Sequence, residues 1–227
     1  MPVSLTYAEL LRLIKYCGYV VAVIATAVLL LRLGELKNEP MKVIWQSVTA
    51  GLTVPPLLIW GLSKLKWKHP RLATLMGRRM VHGLWWGELR SEYRATPDAD
   101  LMPPIPIAFV VRQSYFFLTI HSFTSSLPGE STMEKLTVEP RSRIGRLQYA
   151  FEMKRMRGAE NKYTVGGGDL QLTSDDTRMQ GFYWTNSPSQ GHISLELLTR
   201  DCSGIGSFED AEKARAKLLK AADPITP

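Results

Sequence analysis

Two uncharged runs near the start of the chain limit what it can become. Tyr16–Leu31 and Val43–Ser63 contain no Asp, Glu, Lys or Arg. A helix of roughly 20 apolar residues spans the hydrocarbon core of a bilayer. The first run is the shorter, but Lys15 and Arg32 flank it, and their aliphatic stems can lie along apolar surface while the charges reach water. Between the runs, Gly34-Glu-Leu-Lys-Asn-Glu-Pro40 supplies a helix-ending Gly, polar residues and a Pro. A link this short makes the two spans an antiparallel hairpin. A cleavable signal fits less well, because Val28–Leu31 carries the apolar run past the small residues Ala25-Thr-Ala27.

The flanking charges predict an orientation. Arg12 and Lys15 precede the first span; Lys64, Lys66, Lys68, Arg71, Arg78 and Arg79 follow the second. Basic residues collect on the cytoplasmic side, so both termini are expected there. Trp45 and Trp60 lie about 22 Å apart along a helix, with Trp67 beyond, a separation that suits interfacial aromatic belts. Gly18, Ala22 and Thr26 give the first span a stripe of small side chains, expected to pack against the second span. Pro55-Pro56 falls within the second span, where each Pro removes a backbone donor and favours a static kink.

Charge argues against a nucleic-acid-coating protein. Of the net +7, residues 1–70 contribute +5, from 8 basic and 3 acidic residues. The remainder holds 20 basic and 18 acidic residues, so the basicity belongs mainly to the membrane flank and no direct DNA or RNA partner is expected. The two cysteines, Cys17 in a span and Cys202 far along the chain, are not placed to pair.

After the hairpin the hydrophobic period changes to two. Trp85, Gly87, Leu89, Ser91 and Tyr93 alternate with a largely charged set, as do Leu147, Tyr149, Phe151 and Met153 with Arg146, Gln148, Glu152 and Lys154. Further strands are expected over Ile105–Val111, Tyr115–Thr124, Lys135–Val138, Tyr163–Val165 and Asp169–Thr173 on either side of Gly166-Gly-Gly168, Met179–Thr185 and His192–Arg200. Turns are expected at Ser125–Thr132, Arg157–Asn161 and Ser174–Thr177. Gly166-Gly-Gly168 lacks the strand-to-helix setting of a phosphate loop and reads as a bulge or bend. Ser207 followed by Glu209 and Asp210 starts a helix running to about Ala222.

The expected fold class is a membrane protein: an N-terminal two-helix transmembrane hairpin, then an antiparallel, roughly eight-stranded small β-barrel of lipocalin-like form, then a C-terminal helix. The division is a hairpin over 1–69, a basic and partly helical connector over 70–82, a cytoplasmic barrel over 83–200, and a C-terminal helix and tail over 201–227. No catalytic constellation is legible. His69, His82, His121 and His192 lack metal-ligand spacing, and the adjacent Asp175 and Asp176 suit a turn. The chain is therefore expected to be no enzyme and to carry no cofactor.

Three segments carry a resemblance. His82-Gly-Leu-Trp-Trp-Gly-Glu-Leu-Arg-Ser-Glu-Tyr93 is one. Val111-Arg-Gln-Ser-Tyr115 with the serine-rich Ser122–Ser126 is the second. Gly181-Phe-Tyr-Trp-Thr185 with Gly191-His-Ile-Ser-Leu195 is the third. In this order, behind paired spans, they resemble the two-transmembrane, β-strand-rich effectors of CBASS, the cyclic-oligonucleotide-based anti-phage signalling systems. The resemblance implies a barrel that binds a cyclic dinucleotide or other cyclic oligonucleotide made by a partner CD-NTase nucleotidyltransferase. It further implies a place in the bacterial inner membrane, and that binding drives self-assembly through the spans, disruption of membrane lipid and abortive-infection death.

Within that reading, Arg112 is expected to contact phosphate, because a guanidinium binds two oxygens at once. Tyr149, Tyr183 and Trp184 are candidates for stacking on bases, and Gln113, Ser125 and Thr185 for hydrogen bonds. Trp184 has the opposite strand parity to Tyr183, so the two cannot share a face. The rival readings are a membrane-tethered lipocalin-like barrel carrying a hydrophobic ligand, an anchored structural domain, and a hydrolase.

Overall fold

The computed structural model describes residues 7–64, 71, 77–94, 96, 100–126, 128–139, 142, 144–157, 160–187 and 189–222, with backbone alone for 8, 154–157, 160–162 and 222. Trp67 and its neighbouring Lys66, Lys68 and His69 lie outside the described residues. Two compact units are present, a helical hairpin and a β-barrel.

The hairpin consists of α1 (Tyr7–Leu31), a single turn α2 (Leu33–Leu36) and α3 (Pro40–Lys64). Both long helices are long and apolar enough to cross a membrane. Val43, Ser47, Gly51 and Pro55 recur every fourth residue and form the buried stripe of α3. A Cβ on Gly51 would stand 2.8 Å from the Val21 carbonyl oxygen and 3.4 Å from the Ala25 Cβ, so Gly51 lets the two backbones approach. The small stripe expected to do this packing is a different one. Gly18, Ala22 and Thr26 are exposed, and a Cβ on Gly18 would meet nothing within 4 Å. Here α3 supplies the small residues and α1 offers Val21 and Ala25 to them. Helix α3 continues through Pro55 and Pro56 without a break in assignment.

The second unit is a closed barrel of eight strands, each antiparallel to the next and β8 closing on β1. The strands are β1 (Gly83–Ser91), β2 (Ile105–Gln113), β3 (Leu118–Thr124), β4 (Pro128–Val138), β5 (Gly145–Arg157), β6 (Glu160–Leu172), β7 (Arg178–Thr185) and β8 (Gln190–Thr199). Closure leaves no unpaired sheet edge. The interior is filled, as an eight-stranded barrel allows: Trp85, Phe109, Leu147, Tyr149, Phe151, Leu170, Met179 and Leu195 form one cluster. The alternation read from β1 and β5 is the alternation observed, with Trp85 and Tyr149 inside and Trp86 and Gln148 outside the core.

Three segments differ from expectation. Pro128–Thr132 belongs to β4 rather than to a turn, because a register shift between Ser131 and Met133 absorbs the irregularity inside the strand. Within the segment expected to turn at 157–161, Arg157 ends β5, Glu160 begins β6 and the two pair, as do Met156 and Asn161. Gly166–Gly168 is neither bulge nor bend and pairs in unbroken register with β5 and β7. Its glycines make room for rings: the positions of absent side chains are taken by Phe151 at Gly166, Trp184 at Gly167 and Tyr149 at Gly168.

One end of the barrel is shut. Of the connector, residues 78–82 are not helical; Arg78, Met80, Val81 and His82 are buried, not a solvated flank. Arg200 donates to the carbonyls of Met80 at 3.0 Å, His82 at 2.9 Å and Asp176 at 2.8 Å. Arg79 donates to the Ser174 carbonyl at 2.9 Å and pairs with the Asp176 carboxylate at 3.2 Å. Asp175 accepts from Thr173 and Thr177 and so shapes the β6–β7 turn. The last helix, α4 (Phe208–Ala222), begins where Ser207 Oγ accepts from the Asp210 amide at 3.1 Å. It belongs to the barrel unit: Phe208, Ala211 and Ala214 pack with Leu84, Trp86, Ala108, Val110 and Phe123 on the outer wall. Arg215 is not simply solvated, since its guanidinium lies 5.0 Å from the centroid of Trp86.

Candidate functional site

The other end of the barrel is open. A pocket of about 470 Å³ occupies it, lined at the ends of β1, β2, β3 and β7, from within β5 and β6, and by the loops that join β1 to β2, β3 to β4 and β7 to β8. Pockets that hold small ligands run from roughly 300 to 1,000 Å³. Leu89, Met102, Ile105 and Met153 supply the apolar lining. Nine hydroxyls complete it: Ser91, Tyr93, Thr124, Ser126 and Thr164, then Tyr183, Thr185, Ser187 and Ser189. No charged residue is among the described lining residues.

Local hydrogen bonds fix part of this rim. Thr185 donates from its backbone to the Ser189 carbonyl at 3.0 Å and from Oγ1 to the Ser187 carbonyl at 2.9 Å. These bonds fold the β7–β8 loop against the strand end. Tyr183 Oη lies 3.5 Å from Ser189 Oγ, and Thr124 Oγ1 lies 3.4 Å from Ser126 Oγ. Ser91 Oγ accepts from the Tyr93 amide at 3.2 Å. Hydroxyls donate and accept by rotating, so the rim can meet a ligand presenting both kinds of group.

The seven residues singled out from sequence are divided by the fold. Tyr183 and Thr185 meet in the pocket. Ser125 is exposed in the β3–β4 turn beside the lining residue Ser126. Tyr149 lies deeper, edge-on to Phe109 at 5.6 Å, and burial pushes its phenol well up from the ordinary value. Trp184 stands on the outer wall, 54% exposed, over Gly167. Arg112 is also outside, donating to the Ile205 carbonyl at 3.1 Å ahead of α4. Gln113 points inward at the shut end, where its amide is fully engaged: Oε1 accepts from the Val81 and His82 amides at 2.8 and 3.1 Å, and Nε2 donates to the Arg79 carbonyl at 3.0 Å.

Arg112, Gln113 and Trp184 therefore do not share a site with Tyr183. Inward parity and nearness to one barrel end are separate requirements, and Gln113 satisfies only the first. Of the residues missed, Ser91 and Thr124 share a signal, a hydroxyl at an inward position that is the last residue of its strand; Thr164 is inward but lies within β6.

Outside this pocket the titratable groups are structural. Among the described residues no three His, Cys, Asp or Glu side chains gather as a metal site. Cys202 Sγ lies 3.8 Å from His82 Nε2, but both are buried, and His82 Nδ1 accepts from the Gln113 amide at 3.1 Å. That acceptance places the ring proton on Nε2, facing sulfur, so the imidazole is not poised to take the thiol proton. Glu134 is 6% exposed and receives a hydrogen bond from Ser131 Oγ; its Oε2 has no partner among the described residues, and burial raises its carboxyl above the ordinary range. A second hollow of about 550 Å³ lies on the outer wall, floored by Gly166–Gly168 and Ala150 and bordered by Met133 and Trp184.

The fold and site define a class: a small eight-stranded barrel with one shut end and one open, hydroxyl-lined end, preceded in the chain by two helices long enough to cross a membrane. No known protein-family model matches the chain, and no curated protein matches it by sequence.

Proposed function

We propose that this chain is a membrane effector of a CBASS anti-phage system. The open pocket takes a cyclic dinucleotide or related cyclic oligonucleotide made by a CD-NTase, and occupancy drives the helices of several copies to assemble and disrupt the inner membrane. Both termini lie in the cytoplasm, where the messenger is made. The observation that carries this reading is the pocket of about 470 Å³ with nine hydroxyls, no charge among its described lining residues, and Tyr183 in its wall. Such a lining offers a flat ring to a base and rotatable donors and acceptors to base edges and ribose. The hairpin and the ordered sequence resemblance support the second half of the proposal.

The test is calorimetry of the full chain in a neutral detergent against a panel of cyclic dinucleotides and trinucleotides. Saturable binding of at least one is expected. Absence of binding across the panel removes the messenger reading.

One observation favours a second reading. Leu89, Met102, Ile105 and Met153 make one side of the pocket apolar, which suits a hydrophobic ligand held by a tethered carrier. Mass spectrometry of the purified chain separates the two: a stoichiometric lipid displaced by no nucleotide identifies the carrier.

A further inference from the structure

Parity keeps Trp184 out of the open pocket, and the wall on which it stands carries a hollow of its own. The register aligns Met133, Ala150, Gly167 and Trp184 as one outward row across β4, β5, β6 and β7. Neighbouring strands lie about 4.8 Å apart, so the ends of the row are roughly 14 Å apart. The two end residues are large and the two middle ones small. Cη2 and Cε2 of the indole would stand 2.8 and 2.9 Å from a Cβ on Gly167, so the ring lies over β6. A gap remains over Ala150, between the indole and Met133, within the outer hollow of about 550 Å³. Trp184 is 54% and Met133 64% exposed, so two large apolar side chains wall this gap without covering it. On the β1–β3 side the outer wall is covered instead by α4.

The polar groups around the gap suit an anion. The next outward row on the same strands is Lys135, Gln148, Asp169 and Phe182. Asp169 is already held by Arg146 at 2.7 Å and Gln148 at 3.0 Å, and the Arg146 bond keeps its carboxyl below the ordinary range. Lys135 has no ion pair or hydrogen bond among the described residues, and it is the one charged side chain in the described lining. It is the diagonal neighbour of Ala150, within reach of a long side chain. Two N–H donors share the lining. Trp184 Nε1 has no partner among the described residues, and neither has Asn186 Nδ2, whose Oδ1 is taken by the Val165 amide at 3.0 Å. An indole offers stacking to a flat ring, and an ammonium with N–H donors offers charged hydrogen bonds to phosphate or carboxylate oxygens.

We propose that this hollow is a second binding site, for a planar aromatic ring that carries a phosphate or a carboxylate. The ring lies over Ala150 between Trp184 and Met133, and its anion meets Lys135. The site stands apart from the open pocket and does not rest on the messenger reading.

The experiment follows the indole N–H signals of the full chain, isotope-labelled at tryptophan, by NMR in neutral detergent. Trp184→Phe identifies the Trp184 signal. The probes are adenosine monophosphate, a ring with a phosphate, and orotate, a ring with a carboxylate. Saturable movement of the Trp184 signal with at least one of them is expected, and the tighter binder tells which anion the site takes. Lys135→Gln should weaken that binding about tenfold, the order of one charged hydrogen bond. Ala150→Leu fills the gap and should abolish the movement. Its melting midpoint is measured alongside, and if the added bulk disturbs the wall, the exposed Lys135→Gln carries the test. Thr164→Trp, in the open pocket, should leave the movement intact. A Trp184 signal that moves with neither probe overturns the site. So does an affinity equal in the parent and Lys135→Gln, or a movement lost in Thr164→Trp.

Discussion

Gln113 and His82 hold each other twice at the shut end of the barrel. The Gln113 amide donates to His82 Nδ1 at 3.1 Å, and the His82 amide donates to Gln113 Oε1 at 3.1 Å. The same carboxamide also receives the Val81 amide. Gln113→Ala would leave two buried backbone donors without a partner, and each such group costs about 1–3 kcal/mol. Chemical denaturation of the full chain should show the barrel destabilised by roughly 2–4 kcal/mol, with ligand affinity in the folded fraction unchanged. A near-neutral variant would remove this residue from the plug.

The glycine run gives a second, differential test. A methyl at Gly168 would run into the buried ring of Tyr149, which is packed against Phe109 and has nowhere to go. At Gly167 it would meet only the exposed indole of Trp184. Overpacking a tight core costs about 1–3 kcal/mol. Gly168→Ala should therefore lower the melting temperature clearly, and Gly167→Ala much less. The reverse order would contradict the account of why glycine occupies β6.

Glu134 predicts a pH dependence. Burial raises its folded carboxyl above the unfolded value of about 4.3. The unfolded state therefore releases the proton first as pH rises, and the folded state loses stability through that window until the folded group ionises. Its contribution is complete in acid and is lost as pH rises through the folded value. Glu134→Gln cannot ionise, so its stability relative to the parent should grow between pH 4 and neutrality. Denaturation midpoints of both proteins across that range check this; a constant difference would show that Glu134 is not held neutral.

Two substitutions distinguish the open pocket from the outer wall. Thr164→Trp should fill the mouth and weaken ligand binding at least about tenfold, while the barrel, open at that end, keeps its melting temperature within a few degrees. Arg112→Ala should leave affinity unchanged, because its guanidinium is spent on the Ile205 carbonyl outside the barrel. Any loss should fall on stability, within the range of about 1 kcal/mol typical of single substitutions. A large affinity loss from Arg112→Ala would return it to the site.

Much of the architecture was legible in the chain because its causes are local. An uncharged run long enough for a bilayer, an alternation such as Leu147-Tyr149-Phe151-Met153, and the Ser207 cap each act within a few residues. The strand parity that separates Tyr183 from Trp184 is of the same kind. The site was not legible, because it depends on which ends of distant strands the closed register brings together. Tyr183 and Thr185 reach the open end, whereas Gln113 has the right parity and the opposite end. The small stripe on α1 was read correctly as small, yet the partner helix brought its own, at Gly51. Sequence thus determined which elements form and which face of each strand is apolar, since both follow from spacing along one segment. Only tertiary structure decided that the glycines of β6 lie beneath aromatic rings, and that hydroxyls from four strands and three loops line a single pocket. Those outcomes depend on the register and closure of all eight strands together.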